Sequence, residues 1–385
     1  MLNELVEETA KSHAVCVLTG LPNYPKGDFF PGYSSSRGPY RESYKGASVL
    51  RYPILPRKKG FPRLILNYLS HLLGASLAQF WLPKADWAFV FGTSPITTTI
   101  PAILWARLNG SRVCLWLQDL WPESVVAVGA AQQRSWMYKI LALIVRWIYR
   151  RVDLVLIQSP AFSENLKEFG YSGPIHFVPN WAPEMDFQNA KEPEWLRDLP
   201  RDKMTVTFAG NVGRAQGIDT LMVAAEKLSH ESRLQFVIVG DGSDLQRVQA
   251  LAREKRLSNV HFFGRKPLSD MAGLFQRSDA LLVMLKKDPI FAKTIPSKVQ
   301  AYLASGRPLI GSLDGSGAQV IEESQCGFVG PSEDAEALVQ NLVKLLSQSP
   351  SGREQMGANG SRYFQLNFHK QKVVSEILRL LQTNP

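Results

Sequence analysis

Four stretches of this 385-residue chain combine residue types that could hold and activate a phosphorylated ligand. The first is Phe208-Ala209-Gly210-Asn211-Val212-Gly213-Arg214-Ala215-Gln216-Gly217, between an apolar run and a helical pattern over 218–228. A glycine turn entering a helix leaves bare backbone N–H groups at the positive end of the dipole, which suits a phosphate. Arg214 adds a cation, although a plain βα turn would carry the same pattern. The second is Val239-Gly240-Asp241-Gly242, where Gly240 and Gly242 permit close backbone approach to a flat or anionic ligand. Short Gly-Asp-Gly turns also occur in ordinary loops.

The third stretch is Lys293-Thr294-Ile295-Pro296-Ser297-Lys298, leading into Val299-Gln300-Ala301-Tyr302-Leu303-Ala304-Ser305-Gly306-Arg307-Pro308. Ser297 is expected to cap the helix that follows. Lys298 then falls in the first turn, where the dipole disfavours a cation unless an anion lies opposite. Gly306 and Pro308 read as the helix stop and the entry to the next strand. The fourth is Leu117-Gln118-Asp119-Leu120-Trp121-Pro122-Glu123-Ser124. Two carboxylates, an indole and a proline after an apolar run mark a candidate site, with Asp119 capping a turn as the plain alternative.

The elements that must position these residues alternate between short Val/Ile-rich runs and helical patterns, the signature of parallel βαβ units. In the first half a helix opens the chain, with Leu2, Leu5, Val6 and Thr9 on one face. Strands are expected at 14–18, 47–52, 87–91, 112–117 and 154–158, and helices at 61–82 and 136–151. Residues 180–203 are rich in proline and charge, as a linker is. Beyond them strands are expected at 205–209, 235–239, 260–263, 280–284, 308–311 and 327–329. The domain reading is therefore 1–185, a linker at 186–203, and 204–362. An open unit of this kind normally begins with a strand and a glycine turn, whereas this sequence opens inside a helix. Roughly 15–20 further residues are expected ahead of it, from strand and turn lengths.

Composition fits a folded globular protein, 45% hydrophobic and 20% charged. The net charge of +10 is uneven: residues 1–185 carry 19 Lys/Arg against 12 Asp/Glu, and the remainder 25 against 22. A basic first half favours an anionic partner. Between Arg37 and Arg63 lie eight basic residues (Arg37, Arg41, Lys45, Arg51, Arg57, Lys58, Lys59, Arg63) and one acid, Glu42. Tyr68, Phe80 and Trp81 follow, and 136–151 again mixes aromatic with basic residues, which suits a phospholipid interface. Solvated edges of core helices would look similar. Residues 64–82 lack charge but contain Asn67, Ser70, His71 and Gln79, so a partly buried helix is expected there rather than a membrane span. Cys16, Cys114 and Cys326 sit in apolar runs with neither zinc nor disulfide spacing, so reduced buried thiols are expected. The acidic opening lacks an apolar h-region, so no signal peptide is expected.

Taken together these motifs resemble the retaining GT-B glycosyltransferases of family 4, in the bacterial branch that builds O-antigen, capsule or colanic acid. Within it the likeness is to L-fucosamine (N-acetyl-fucosamine) transferases. It runs from Val15-Cys16-Val17-Leu18-Thr19-Gly20-Leu21-Pro22-Asn23-Tyr24-Pro25 through the Asp119–Ser124 stretch, Val178-Pro179-Asn180 and the 210–217 turn to Lys298 and Pro308. It implies an α/β fold of the GT-B type, two Rossmann-like domains facing a central cleft, with a last helix at 363–385 crossing back. Asp119, Arg214 and Lys298 are the expected catalytic residues, Arg214 and Lys298 as the substituted cations that hold the diphosphate and Asp119 as an orienting or charge-stabilising group. The nucleotide-sugar would be bound by Gly210, Asn211, Gly213, Gln216, Gly217, Gly240, Asp241, Gly242, Arg265, Ile295, Pro296 and Ser297, and the acceptor by Asn23, Tyr24, Trp121 and Glu123. Asn211 and Gln216 stand where the family carries Arg and Lys. Lys293 and Ala301 stand where it carries two glutamates, which leaves the ribose contact unassigned.

The expected activity is transfer of a (deoxy-amino)hexose from a UDP-linked sugar to a lipid-linked saccharide. The resemblance implies that no metal or other cofactor is needed, because cations and helix ends neutralise the leaving diphosphate, and the sequence agrees in having no acidic cluster of metal-ligand spacing. The expected location is cytoplasmic, on the anionic inner face of the bacterial plasma membrane, with no nucleic acid bound. Two other classes fit parts of the pattern: a GT-B-fold epimerase or phosphorylase, and a non-enzymatic module binding membrane or nucleic acid through the basic half.

Overall fold

The computed structural model describes residues 1–23, 27–36, 38–56, 60–127 and 135–383. The chain forms two units, the first comprising Met1–Val178 and Val374–Pro385, the second Pro179–Val373. The described strands of the first unit are β1 (Cys16–Gly20), β2 (Tyr40–Tyr44), β3 (Ala47–Tyr52), β4 (Trp87–Gly92), β5 (Arg112–Leu117), β6 (Leu154–Ile157) and β7 (Ile175–Phe177). They form a three-stranded sheet in the order β1-β3-β2 and a four-stranded parallel sheet in the order β4-β5-β6-β7. β5 and β6 are buried almost throughout. They read as continuous apolar runs because helices cover both faces of a parallel sheet.

Two strands were not expected. β2 pairs antiparallel with β3, but its sequence, Tyr40-Arg41-Glu42-Ser43-Tyr44, is polar and follows a loop rich in Gly and Pro. β7 has only three residues. Elsewhere the strand ends differ from expectation by one or two residues, as hydrogen bonding frays at element ends.

The second unit holds one six-stranded parallel sheet. Its strands are β8 (Met204–Ala209), β9 (Leu234–Val239), β10 (Val260–Gly264), β11 (Ala280–Met284), β12 (Leu309–Ser312) and β13 (Gly327–Gly330). The order is β10-β9-β8-β11-β12-β13. The chain winds outward in one direction from β8 and in the other from β11, so the topological switch lies between these two strands. In such a sheet the crevice for a ligand opens beyond their carboxyl ends. Phe208, Phe236, Val237, Leu281 and Leu282 are fully buried in the cores on its two faces.

Two local expectations change. Helix Ser297–Ala304 has Pro296 at its N-cap position and no side-chain cap, so Ser297 begins the helix rather than capping it. The continuous last helix expected at 363–385 is two helices, Pro350–Asn367 and Lys370–Thr383. Phe368, buried at the break, anchors the turn between them. The later helix returns to the first unit, where the Trp87 indole donates to the Leu381 carbonyl at 2.9 Å.

Candidate functional site

The loop after β8 and the loop after β9 meet back to back. Gly210 N–H donates to Val239 O at 2.8 Å, and Val212 N–H to Asp241 O at 2.9 Å. Gly240 has φ 146°, and a Cβ there would fall on the carbonyl oxygen of Gly210. A Cβ on Gly242 would strike the Val212 carbonyl. These glycines are therefore required by the approach of two backbones to each other.

Gly210, at φ 137°, faces a third element. A Cβ on it would come within 2.6 Å of Lys298 Cε. Lys298 is carried by the first turn of helix Ser297–Ala304, and that helix is fixed to the end of β8 by Tyr302. The fully buried Tyr302 hydroxyl donates to Ala209 O and accepts from Ala209 N–H, both at 2.9 Å. The Lys298 ammonium thus comes to rest 3.6 Å from the centroid of the Phe208 ring and donates to Gln216 Oε1 at 2.6 Å. Burial pushes its pKa down to about 7. A lysine with no carboxylate partner among the described residues is, in such a place, poised to receive an anion.

Arg214 and Gln216 lie on a 3-10 turn, Arg214–Gln216, and Gly217, at φ 62°, passes the chain into helix Ile218–Lys227. Arg214 is exposed. The turn is tied to the end of β11 by Lys286 N–H, which donates to Ala215 O at 2.9 Å. Behind it the Arg247 guanidinium forks onto Asp244 at 2.8 and 2.7 Å and onto Asp219 at 2.8 Å. That bonding holds the Asp244 carboxyl below the usual carboxylate range, with Arg214 and Lys286 adding smaller electrostatic contributions. Asp244 N–H donates to Val212 O at 3.0 Å, which fixes the loop from behind.

Gly210, Asn211, Gly213, Arg214, Gln216, Gly217, Gly240, Asp241, Gly242 and Lys298 therefore come together at the carboxyl end of β8. Ile295 is buried in the core beside Val299, while Ser297 and Arg265 are exposed, the latter just past β10. Sequence reasoning missed Tyr302, Phe208 and Lys286. The two rings read only as apolar positions, and Lys286 gave a signal only through its place directly after the 280–284 run.

In the first unit, Asp119 follows β5 and its Oδ2 accepts from Ser94 Oγ at 3.0 Å, in the loop after β4. Both groups lie past the carboxyl ends of their strands. Trp121 is buried in the core of this unit. Glu123 Oε1 accepts from Asn165 Nδ2 at 2.9 Å. Asn23 is buried and its side chain donates to Leu21 O at 3.1 Å. Tyr24 lies outside the described residues. Among the described residues, no group of three or more His, Cys, Asp or Glu is placed to hold a metal.

Two βαβ-wound units, the second with glycine turns and a lysine gathered at its switch point, define a two-domain GT-B fold. The chain is a glycosyltransferase built from a Glycosyl transferase 4-like domain over residues 1–181 and a Glycosyl transferases group 1 domain over residues 192–363. A glycosyl transferase named for colanic acid biosynthesis, WcaI of Escherichia coli (strain K12), is 29% identical over 317 residues, 79% of this chain and 76% of its own. The O-antigen chain mannosyltransferase C of Escherichia coli is 28% identical, over 60% of this chain and 61% of its own. Among solved structures, the sucrose-phosphate synthase of Thermosynechococcus elongatus shares the fold at TM-score 0.73 and 18% identity, covering 99% of this chain and 92% of its own. Anabaena HepE, solved with UDP and glucose, shares it at TM-score 0.63 and 13% identity, covering 88% and 87%.

Proposed function

We propose that the protein transfers a (deoxy-amino)hexose from a UDP-linked donor to a lipid-linked saccharide during assembly of a surface polysaccharide. The transfer would proceed with retention at the anomeric carbon and need no metal. The observation that carries the donor side is the meeting of two glycine turns with Lys298 and Arg214 at the end of β8. The relatives named for colanic acid and O-antigen support the polysaccharide, and the structure solved with UDP and glucose supports a UDP donor.

When the anomeric C–O bond breaks, the electron pair stays with the diphosphate while positive charge builds on the sugar. Preorganised cations and N–H groups stabilise that leaving group more than they stabilise the intact donor. Lys298 and Arg214 would supply the charge, and Gly210–Gly217 the close backbone. With retention, the acceptor hydroxyl attacks the face from which the phosphate departs. The departing phosphate oxygen is then the base nearest to the hydroxyl proton. Asp119, steadied by Ser94, would orient the acceptor or stabilise the charged sugar.

The test is a thermal-shift panel of UDP- and GDP-sugars followed by product analysis by NMR in the presence of a chelator. A ligand at 100 times its Kd should stabilise by about 2.7 kcal/mol. An α-linked product from an α-linked donor, formed with the chelator present, supports the reading. Free sugar released without an acceptor, inversion, or loss of transfer in chelator overturns the corresponding part.

A further inference from the structure

Three helices of the first unit contain no acidic residue: Phe61–Ala78, Thr99–Asn109 and Trp136–Tyr149. They are neighbours, the middle one packing against both others. On the first and the 3-10 turn Gln79–Trp81 that continues it, Leu66, Leu69, Leu73, Leu77 and Phe80 recur at intervals of three and four, so they share one face. All five are about half or more exposed, Phe80 by 71%. The polar residues of this helix turn the other way, onto protein. The Asn67 side chain donates to Leu55 O at 2.6 Å, Leu55 N–H donates to Ser70 Oγ at 2.9 Å, and the Tyr52 hydroxyl is hydrogen-bonded to His71 at 3.1 Å. From Leu66 onward the outward face is left apolar, with Arg63 one turn before it.

The other two helices continue the pattern. Leu108 is 69% exposed, and Trp136 and Leu143 are 75% and 64% exposed. Arg63, Arg107, Lys139 and Arg146 are all exposed among them. Between Lys139 and Arg146 the surface dips into a groove of about 270 Å³ floored by Ala142 and Leu143. No helix of the described residues is long and apolar enough to cross a membrane.

We propose that this three-helix face docks in the plane of an anionic phospholipid bilayer, its leucines and aromatic rings entering the interface while Arg63, Arg107, Lys139 and Arg146 meet lipid phosphates. Charge decides the occupant. A second copy would bring four cations against four cations with no acid on any of the three helices to pair them, which is unfavourable. An anionic lipid surface pairs every one. Exposed rings beside cations fit headgroup depth, and an apolar stripe on an amphipathic helix fits the acyl boundary. The proposal is independent of the donor chemistry, because its readout is attachment alone.

The experiment is flotation of the whole protein with vesicles of equal parts phosphatidylglycerol and phosphatidylcholine, compared with phosphatidylcholine alone. Binding to the anionic vesicles should fall with salt. Lys139→Gln with Arg146→Gln should weaken it about thirtyfold, from about fivefold per cation. Leu73→Gln with Leu77→Gln should weaken it about tenfold or more, with the circular dichroism melt and the UDP-sugar thermal shift unchanged. Phe80→Ser serves as an independent single variant should the leucine pair disturb folding. Equal binding to neutral and anionic vesicles, or unaltered binding by both the leucine pair and Phe80→Ser, overturns the proposal. So does a wild-type dimer that these variants dissociate, which would assign the face to a second copy.

Discussion

Lys298 gives its hydrogen bond to the amide oxygen of Gln216, 2.6 Å away, and lies over the ring of Phe208. Among the described residues, the partners of this ammonium are a neutral acceptor and a π-face, both weaker than a carboxylate. The free protein therefore holds a cation site partly discharged, with its pKa lowered to about 7 by burial. A diphosphate arriving beside it would restore the charge.

The sign of the resulting pH dependence follows. Above about pH 7 the native lysine has lost its proton, whereas the unfolded one keeps it up to about pH 10.4. The unfolded chain binds the extra proton across that window, so this group's contribution to stability rises with pH through it and is lost as pH falls to 7. Binding of UDP should take up roughly 0.9 proton at pH 8 and far less at pH 6. Calorimetry in buffers of different ionisation enthalpy reads this directly, and Lys298→Met should remove the uptake. A binding enthalpy independent of buffer at pH 8 would be evidence against a discharged lysine.

Gln216→Glu should weaken binding of nucleoside diphosphate rather than strengthen the site. The new carboxylate would pair with Lys298, keep it charged without ligand and occupy the position an anion must take. Like-charge juxtaposition costs several kcal/mol when desolvated. A loss of about 2 kcal/mol, about thirtyfold in Kd, is expected for UDP titrated at pH 8. Proton uptake should vanish in the same variant, which separates this outcome from simple misfolding.

Two glycines provide a stability contrast. Gly240 and Gly264 both have positive φ, 146° and 65°, but a Cβ on Gly240 would overlap the Gly210 carbonyl while one on Gly264 meets nothing within 4 Å. Gly264→Ala should therefore cost only the left-handed penalty, about 1 kcal/mol. Gly240→Ala should cost about 3 kcal/mol or more, since two backbone loops must separate. Chemical denaturation distinguishes the two, and equal losses would contradict the back-to-back loops.

Much of this site was legible before the structure because its parts are local. Glycines at strand ends, a proline before a helix and a cation in a first turn are signals carried within a few residues. That Gly210 lies against Lys298 was not legible, because the two are far apart in sequence and meet only through the parallel order of β8 and β11. The role of Tyr302 was invisible for the same reason: its hydroxyl, on helix Ser297–Ala304, serves Ala209 at the end of β8. Ser297 misled because a serine before a helical run usually caps, whereas Pro296 already occupies the cap position here. β2 was missed since its alternation is polar on both faces, and the break within 363–385 was not legible because Phe368 reads as one more apolar position. The apolar stripe of helix Phe61–Ala78 was visible as composition, yet its outward direction depended on Asn67, Ser70 and His71 finding partners in β3 and the loop after it.

Arg214 provides the sharpest test of the donor reading, because it is exposed and its loss leaves no buried group unsatisfied. The turn that carries it is held independently, by Lys286 N–H on Ala215 O and by Asp244 behind Val212. Arg214→Ala should therefore leave the melting temperature nearly unchanged. If the guanidinium meets charge that grows as the diphosphate departs, kcat should fall by about 10²–10³, the usual effect of removing one preorganised donor. Donor KM should change much less, since an interaction strengthened in the transition state shows chiefly in kcat. Arg214→Lys should recover part of the rate, as a point charge without the planar fork. A variant with normal kcat and raised KM would mean that Arg214 only binds the donor, and one with both constants normal would move the leaving-group cation elsewhere.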